Sequence, residues 1–150
     1  MALTDQDLRV SVQDIRGEDR ALQLGDAEVD CCRLALRAVA ARLGIDLAAA
    51  APLPTWTVLI DWPSRIEARR RLFWAAVPGS PGCEGLTFRG GTLVPHLDDF
   101  ALLCHEAGHW LAWHARGVEL ASPESERLAN RAEGPGWLAR LFGMRDPWTG

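Results

Sequence analysis

The chain contains no lysine and no tyrosine; its 16 basic side chains are all arginine, set against 20 acidic ones, for a formal net charge of −4. That balance argues against direct binding to nucleic acid, whose phosphates select a positive surface. The missing lysine reads as base composition, and the run Arg69-Arg70-Arg71 as a solvated element end. No apolar stretch approaches the roughly 18 residues that a membrane-crossing helix requires, which excludes a spanning protein of that kind. The opening MALTDQDLRV carries acids where a secretory signal has a positive segment followed by an apolar one, so a cytoplasmic location is expected. Cys31, Cys32, Cys83 and Cys104 contain no Cys-x-x-Cys pair, which argues against a zinc ribbon or a disulfide framework and for reduced thiols.

What is present is globular composition, 48% hydrophobic against 24% charged over 150 residues, enough for one domain with its own core. Residues 5–24 alternate weakly and predict a hairpin or an irregular peripheral arm. Val29, Cys32, Leu36, Val39, Ala40 and Leu43 follow helical spacing, which predicts a helix over 26–43 with Asp26 as N-cap and Gly44 as its stop. A proline-bearing loop follows, then a strand at Trp56–Ile60, an apolar run at Leu72–Val77 and a tight hairpin in which Leu86–Arg89 and Thr92–Val94 flank Gly90-Gly91. These predict an α+β fold with a small, mostly antiparallel sheet of three to four strands. From Asp99 to about Ala115 the pattern is helical again, Gly117 breaks it, and Ser122-Pro123 opens a further helix. A short helix is expected at Trp137–Phe142 and a loose tail over 143–150.

The stretch Cys104-His105-Glu106-Ala107-Gly108-His109-Trp110 carries the chemistry. On a helix each residue turns about 100°, so His105 and His109 point almost the same way, one turn apart, as a two-point grip on one metal ion requires. Phe100, Leu103, Ala107, Trp110 and Leu111 fall on the opposite side as an apolar back. Glu106 lies about 100° around from His105, where its carboxylate can reach a water on the metal. Neutral imidazole suits Zn²⁺, which acidifies such a water; with Glu106 as the base, the arrangement is one for amide hydrolysis. The bare motif also arises by chance, in which case the histidines would simply hydrogen-bond in the core.

Two histidines need a third ligand. The metzincin pattern would put a glycine at 112 and a histidine at 115, and this chain has Ala112 and Ala115. His114 points about 180° away from His105 and reads as structural or helix-terminal. Among Glu124, Glu126 and Glu133 on the next helix, Glu124 is explained by its first-turn position. Glu126 shares a face with Ala129 and Asn130, small residues that would let this helix approach Gly108, and it is the expected third ligand. A two-His, one-carboxylate set also suits Mn²⁺ or Fe²⁺. Cys104 reads as a small buried hydrophobe, and Trp113 as a residue near the metal-facing side that could line a substrate groove.

His105-Glu-Ala-Gly-His109 followed by Glu126-Arg-Leu-Ala-Asn130 resembles the ImmA/IrrE family of gluzincin metallopeptidases, as do Phe100 and Leu102-Leu103 ahead of the first histidine. The resemblance implies zinc held by His105, His109 and Glu126, with Glu106 as general base. It implies a zincin-like fold of N-terminal helix, small sheet, motif helix and glutamate helix. It further implies a limited regulatory cut in a protein substrate, with a DNA-binding repressor as the typical partner. Two departures stand out. The chain runs on as Arg131-Ala132-Glu133 and then Gly134-Pro135-Gly136, where the family has an aromatic residue and an alanine, so the glutamate helix should end early. With no tyrosine, an oxyanion would need His96, an arginine or the metal itself. An extended peptide would be expected along the Leu86–Val94 hairpin. The alternative function is a non-catalytic module of the same fold that regulates its partner by occupancy.

Overall fold

The computed structural model describes residues 8–17, 20–50, 52–73 and 85–134. Its elements are β1 (Val10–Asp14), β2 (Leu22–Gln23), α1 (Asp26–Leu43), α2 (Leu47–Ala50), β3 (Trp56–Ile60), α3 (Pro63–Phe73), β4 (Leu86–Phe88), β5 (Gly91–Val94), α4 (Phe100–Arg116) and α5 (Pro123–Glu133). The fold is α+β, with one five-stranded sheet in the order β2-β1-β3-β5-β4.

The sheet is mixed, not mostly antiparallel, and has five strands in place of the expected three to four. β3 runs parallel to β1, with Val12 opposite Val58, and parallel to β5, with Leu59 opposite Leu93; only the edge pairs β1–β2 and β4–β5 are antiparallel. The reason lies in the connections. α1 and α2 separate β1 from β3 in the chain, and a crossover of that length returns the backbone in its original direction. The segment expected as a hairpin or arm contributes β1 to the inside of the sheet, where Val12 is fully buried.

Side chains alternate across the sheet with the two-residue period of a strand. Val12, Trp56, Val58, Ile60 and Val94 face the main core under α1, α4 and α5, whereas Leu59, Leu86, Leu93 and Phe88 pack with Ile66 of α3 on the other face. α3 was not expected: Leu72 and Phe73, read as the start of a strand, form its last turn, and the rest of that run, 74–77, lies outside the described residues. So do Cys83, the expected helix at 137–142 and the 143–150 tail. Cys31 and Cys32 are free thiols, and Cys104 is buried in the main core.

α1 begins one residue differently from expectation, with Gly25 in the N-cap position and Asp26 as the first helical residue, and it ends at Gly44 in the left-handed conformation. The proline-bearing loop contains the single turn α2. In the hairpin, Phe88 pairs with Gly91 and Thr87 with Thr92, so the turn is Arg89-Gly90, not Gly90-Gly91. α4 is capped by Asp99, whose carboxylate accepts from the Leu102 amide at 3.0 Å, and α5 by Ser122, whose hydroxyl accepts from the Ser125 amide at 3.1 Å. α5 ends at Glu133, as the Gly134-Pro135-Gly136 run implies.

Candidate metal centre

α4 and α5 lie against one another because of what Gly108 lacks. A Cβ there would stand 2.7 Å from Ala132 Cβ and 3.0 Å from Ala129 Cα, closer than real carbon contacts. Ala129 is the small contact residue anticipated from the sequence; the second is Ala132, while Asn130 is exposed. This approach brings the first turn of α5 over the imidazoles. His105 and His109 are consequently only 8% and 9% exposed, although they sit on the side of α4 away from its apolar back.

The three expected ligands converge. His109 Nε2 lies 3.1 Å from Glu126 Oε2 and His105 Nε2 3.5 Å from Glu126 Oε1, and one donor atom from each of the three residues falls within 4.8 Å of the others. Donors about 2.1 Å from a tetrahedral zinc stand about 3.4 Å apart, so the observed spacing suits such an ion with little movement. Glu126 is the member open to solvent, with 48% of its side chain exposed. Hydrogen bonds first from His105 and then from His109 hold its carboxyl well below the usual carboxylate range, against the opposing effect of burial.

The far nitrogens of both rings are also occupied. His109 Nδ1 is 2.7 Å from Ser125 Oγ and His105 Nδ1 is 3.4 Å from Glu133 Oε2, both partners being on α5. A histidine that bound a metal through Nε2 would carry its proton on Nδ1, and Ser125 and Glu133 would then accept it and set tautomer and ring orientation. The donor set thus fits a divalent ion: two oriented imidazoles, one carboxylate and outer partners for each ring.

Glu106 is buried beside this cluster in sequence, 2% exposed, with Oε2 accepting from Thr87 Oγ1 at 2.6 Å. A Cβ on Gly85 would stand 3.0 Å from Glu106 Cγ and 3.1 Å from Oε1, so glycine there leaves the side chain in place where a larger residue would press on it. Ser125, Glu133 as a ring partner, Thr87 and Gly85 were all missed from sequence. Thr87 left no signal either, because the expected Gly90-Gly91 turn sets Thr92 opposite Arg89, and the two threonines meet only in the observed register.

The remaining candidates fall elsewhere. His96 is exposed on the segment between β5 and α4, outside the cluster. His114 sits in the last turn of α4 between Trp110 and Trp113, with ring centroids 4.6 and 4.4 Å away, and burial lowers its pKa. Trp113 is partly exposed and lies under the Arg89 guanidinium of the hairpin turn, 5.9 Å from the ring centre. Glu124 pairs with Arg127 on the surface of α5. Comparison of the chain with protein-family models, curated proteins and solved structures gives no match.

Proposed function

We propose that this chain is a zinc-dependent endopeptidase that makes a limited cut in a protein partner. The observation that carries the reading is the meeting of His105, His109 and Glu126 at ligand spacing, with a buried glutamate, Glu106, next to His105 in the chain. A zinc ion held there supplies Lewis acidity for a peptide carbonyl and for water. The rest is done by the protein. Ser125 and Glu133 hold the two imidazoles with Nε2 presented to the site. Glu106 takes a proton from the attacking water at Oε1, the oxygen not engaged by Thr87, and returns it to the departing amine. Amide hydrolysis is balanced by that one water and one shuttled proton.

β4 is the terminal strand of the sheet among the described residues, and Thr87 on it reaches Glu106. An extended peptide adding to β4 would gain main-chain hydrogen bonds beside the base. The resemblance of His105–His109 and Glu126–Asn130 to the ImmA/IrrE metallopeptidases supports a regulatory substrate, of which a DNA-binding repressor is the favoured kind. Among the described residues no helix is long and apolar enough to cross a membrane.

The test is cleavage of a proteome-derived peptide mixture by zinc-loaded protein, read by mass spectrometry of new termini. Wild type should produce new termini and Glu106→Gln should not, while both hold about one zinc per chain. Equal behaviour of the two at full zinc occupancy would sink the peptidase reading and favour a module that acts by binding.

A further inference from the structure

A buried carboxylate needs hydrogen-bond donors in place of water. Glu106 receives one from a line of side chains that crosses the sheet. Trp56 Nε1 lies 2.9 Å from Thr92 Oγ1, Thr92 Oγ1 lies 3.0 Å from Thr87 Oγ1, and Thr87 Oγ1 lies 2.6 Å from Glu106 Oε2. All four side chains are buried. The ends of the line set its direction, because an indole N–H only donates and an ionised carboxylate only accepts. Thr92 therefore accepts from Trp56 and donates to Thr87, and Thr87 gives its single proton to Glu106. Thr87 Oγ1 also lies 3.2 Å from the Glu106 carbonyl oxygen, but the nearer, charged oxygen is the stronger acceptor.

The line follows from the hairpin register. Thr87 and Thr92 are directly opposite on β4 and β5 and face α4, while their neighbours Leu86 and Leu93 face Ile66 on the other side of the sheet. A slip of β4 by one residue would turn the Thr87 hydroxyl away from Glu106.

We infer that Thr87 and Thr92 are positioning residues for Glu106, with Trp56 as the anchoring donor. The line pins Oε2, the missing Cβ of Gly85 leaves space beside Oε1, and that oxygen is held in a fixed place to exchange a proton with water. The inference rests on the peptidase reading of Glu106 for its consequence, but the positioning itself can be read without turnover.

The test uses the full chain loaded with zinc, comparing wild type with Thr87→Val, Thr87→Ser and Thr92→Val. Zinc content should stay at about one per chain in all four, because neither hydroxyl belongs to the ligand set. Crystal structures should show Glu106 in a single conformer in wild type and Thr87→Ser, and turned or spread over several in Thr87→Val. On a peptide that wild type cuts, kcat should fall about 10- to 100-fold in Thr87→Val with KM within about twofold, and Thr87→Ser should recover most of it. Thr92→Val, one bond farther from the carboxylate, should lose less. An unmoved Glu106 in both valine variants overturns the inference. If Glu106→Gln cuts as well as wild type, or no peptide is cut, the peptidase reading fails instead, and the crystal structures still decide whether Thr87 holds the carboxylate.

Discussion

Ser125 Oγ lies 2.7 Å from His109 Nδ1, with both groups buried at the contact of α4 and α5. The residue next to one candidate metal ligand, Glu126, thus contacts a second, His109, on the other helix. Because Ser125 also receives its backbone cap from Ser122, its place is set by the start of α5 itself. Ser125→Ala keeps all three ligands but frees the His109 ring. The expected result is zinc binding weakened about 10- to 100-fold, measured by competition with a chromophoric chelator, with little change in the far-ultraviolet circular dichroism. Affinity equal to wild type would show that ring packing alone orients His109.

Gly108→Ala tests the approach of the two helices. The added methyl would stand 2.7 Å from Ala132 Cβ, and backbone at Ala129 blocks any sideways escape. α5 must move outward, carrying Glu126 and Ser125 with it. Overpacking of this kind costs about 1–3 kcal/mol in denaturant unfolding, and zinc affinity should drop in the same variant. Gly108→Ala with Ala132→Gly makes room for the methyl and should recover part of both losses, a coupling that distant sites do not show.

The elements that carry the ligands were legible because they are long and periodic or open on a clear start signal. α1 and α4 show several turns of apolar spacing, α5 is marked by its Ser122-Pro123 start, and His105, His109 and Glu106 follow from helix angles alone. Glu126 was reached through the small residues around it, one of which, Ala129, does meet Gly108. Shorter elements were not. β1 has only two apolar residues between Val10 and Asp14, and its burial comes from neighbours on both sides that sequence does not reveal. α3 buries Ile66 but carries Arg65, Arg69 and Arg70, so its apolar stripe is thin and Leu72-Phe73 read as a separate strand. Glu133 and Ser125 became ring partners only through the closeness of α4 and α5. Their roles depend on a tertiary distance and not on any spacing within the chain.

Glu126 gives a pH signature in metal-free protein. Its carboxyl is held below its ordinary value of 4.5, by His105 first and His109 second. A group whose pKa is depressed by folding adds stability above its unfolded value, and that stability is lost as pH falls toward the folded value. The excess stability of wild type over Glu126→Gln, followed by denaturant unfolding in the presence of a chelator, should therefore be full above pH 4.5 and shrink below it. The effect will be small, since 48% of the side chain meets solvent that screens the pair. An excess that grew as pH fell below 4.5 would mean that the histidines do not act on this carboxylate in solution.

Stabilisation by a metal ion should weaken as pH falls, because ions and protons compete for the same ligand atoms. An ion that binds only the folded chain stabilises it by RT ln(1 + [L]/Kd), about 2.7 kcal/mol when free ion exceeds Kd a hundredfold. For a domain of 150 residues that corresponds to a rise in Tm of roughly 5–10 °C. Chelator-treated wild type should therefore melt lower than the zinc-loaded form at pH 7, with the gap closing as pH falls and protons compete with the ion for its ligands. His109→Ala should show almost no gap at any pH. Repeating the melts with Mn²⁺ and Fe²⁺ at equal free concentration ranks the ions by the Tm each confers. Two imidazoles and one carboxylate admit all three, and a larger gain with zinc than with the others would tie the site to that ion. A His109→Ala gap equal to that of wild type would place the stabilising ion somewhere other than between α4 and α5.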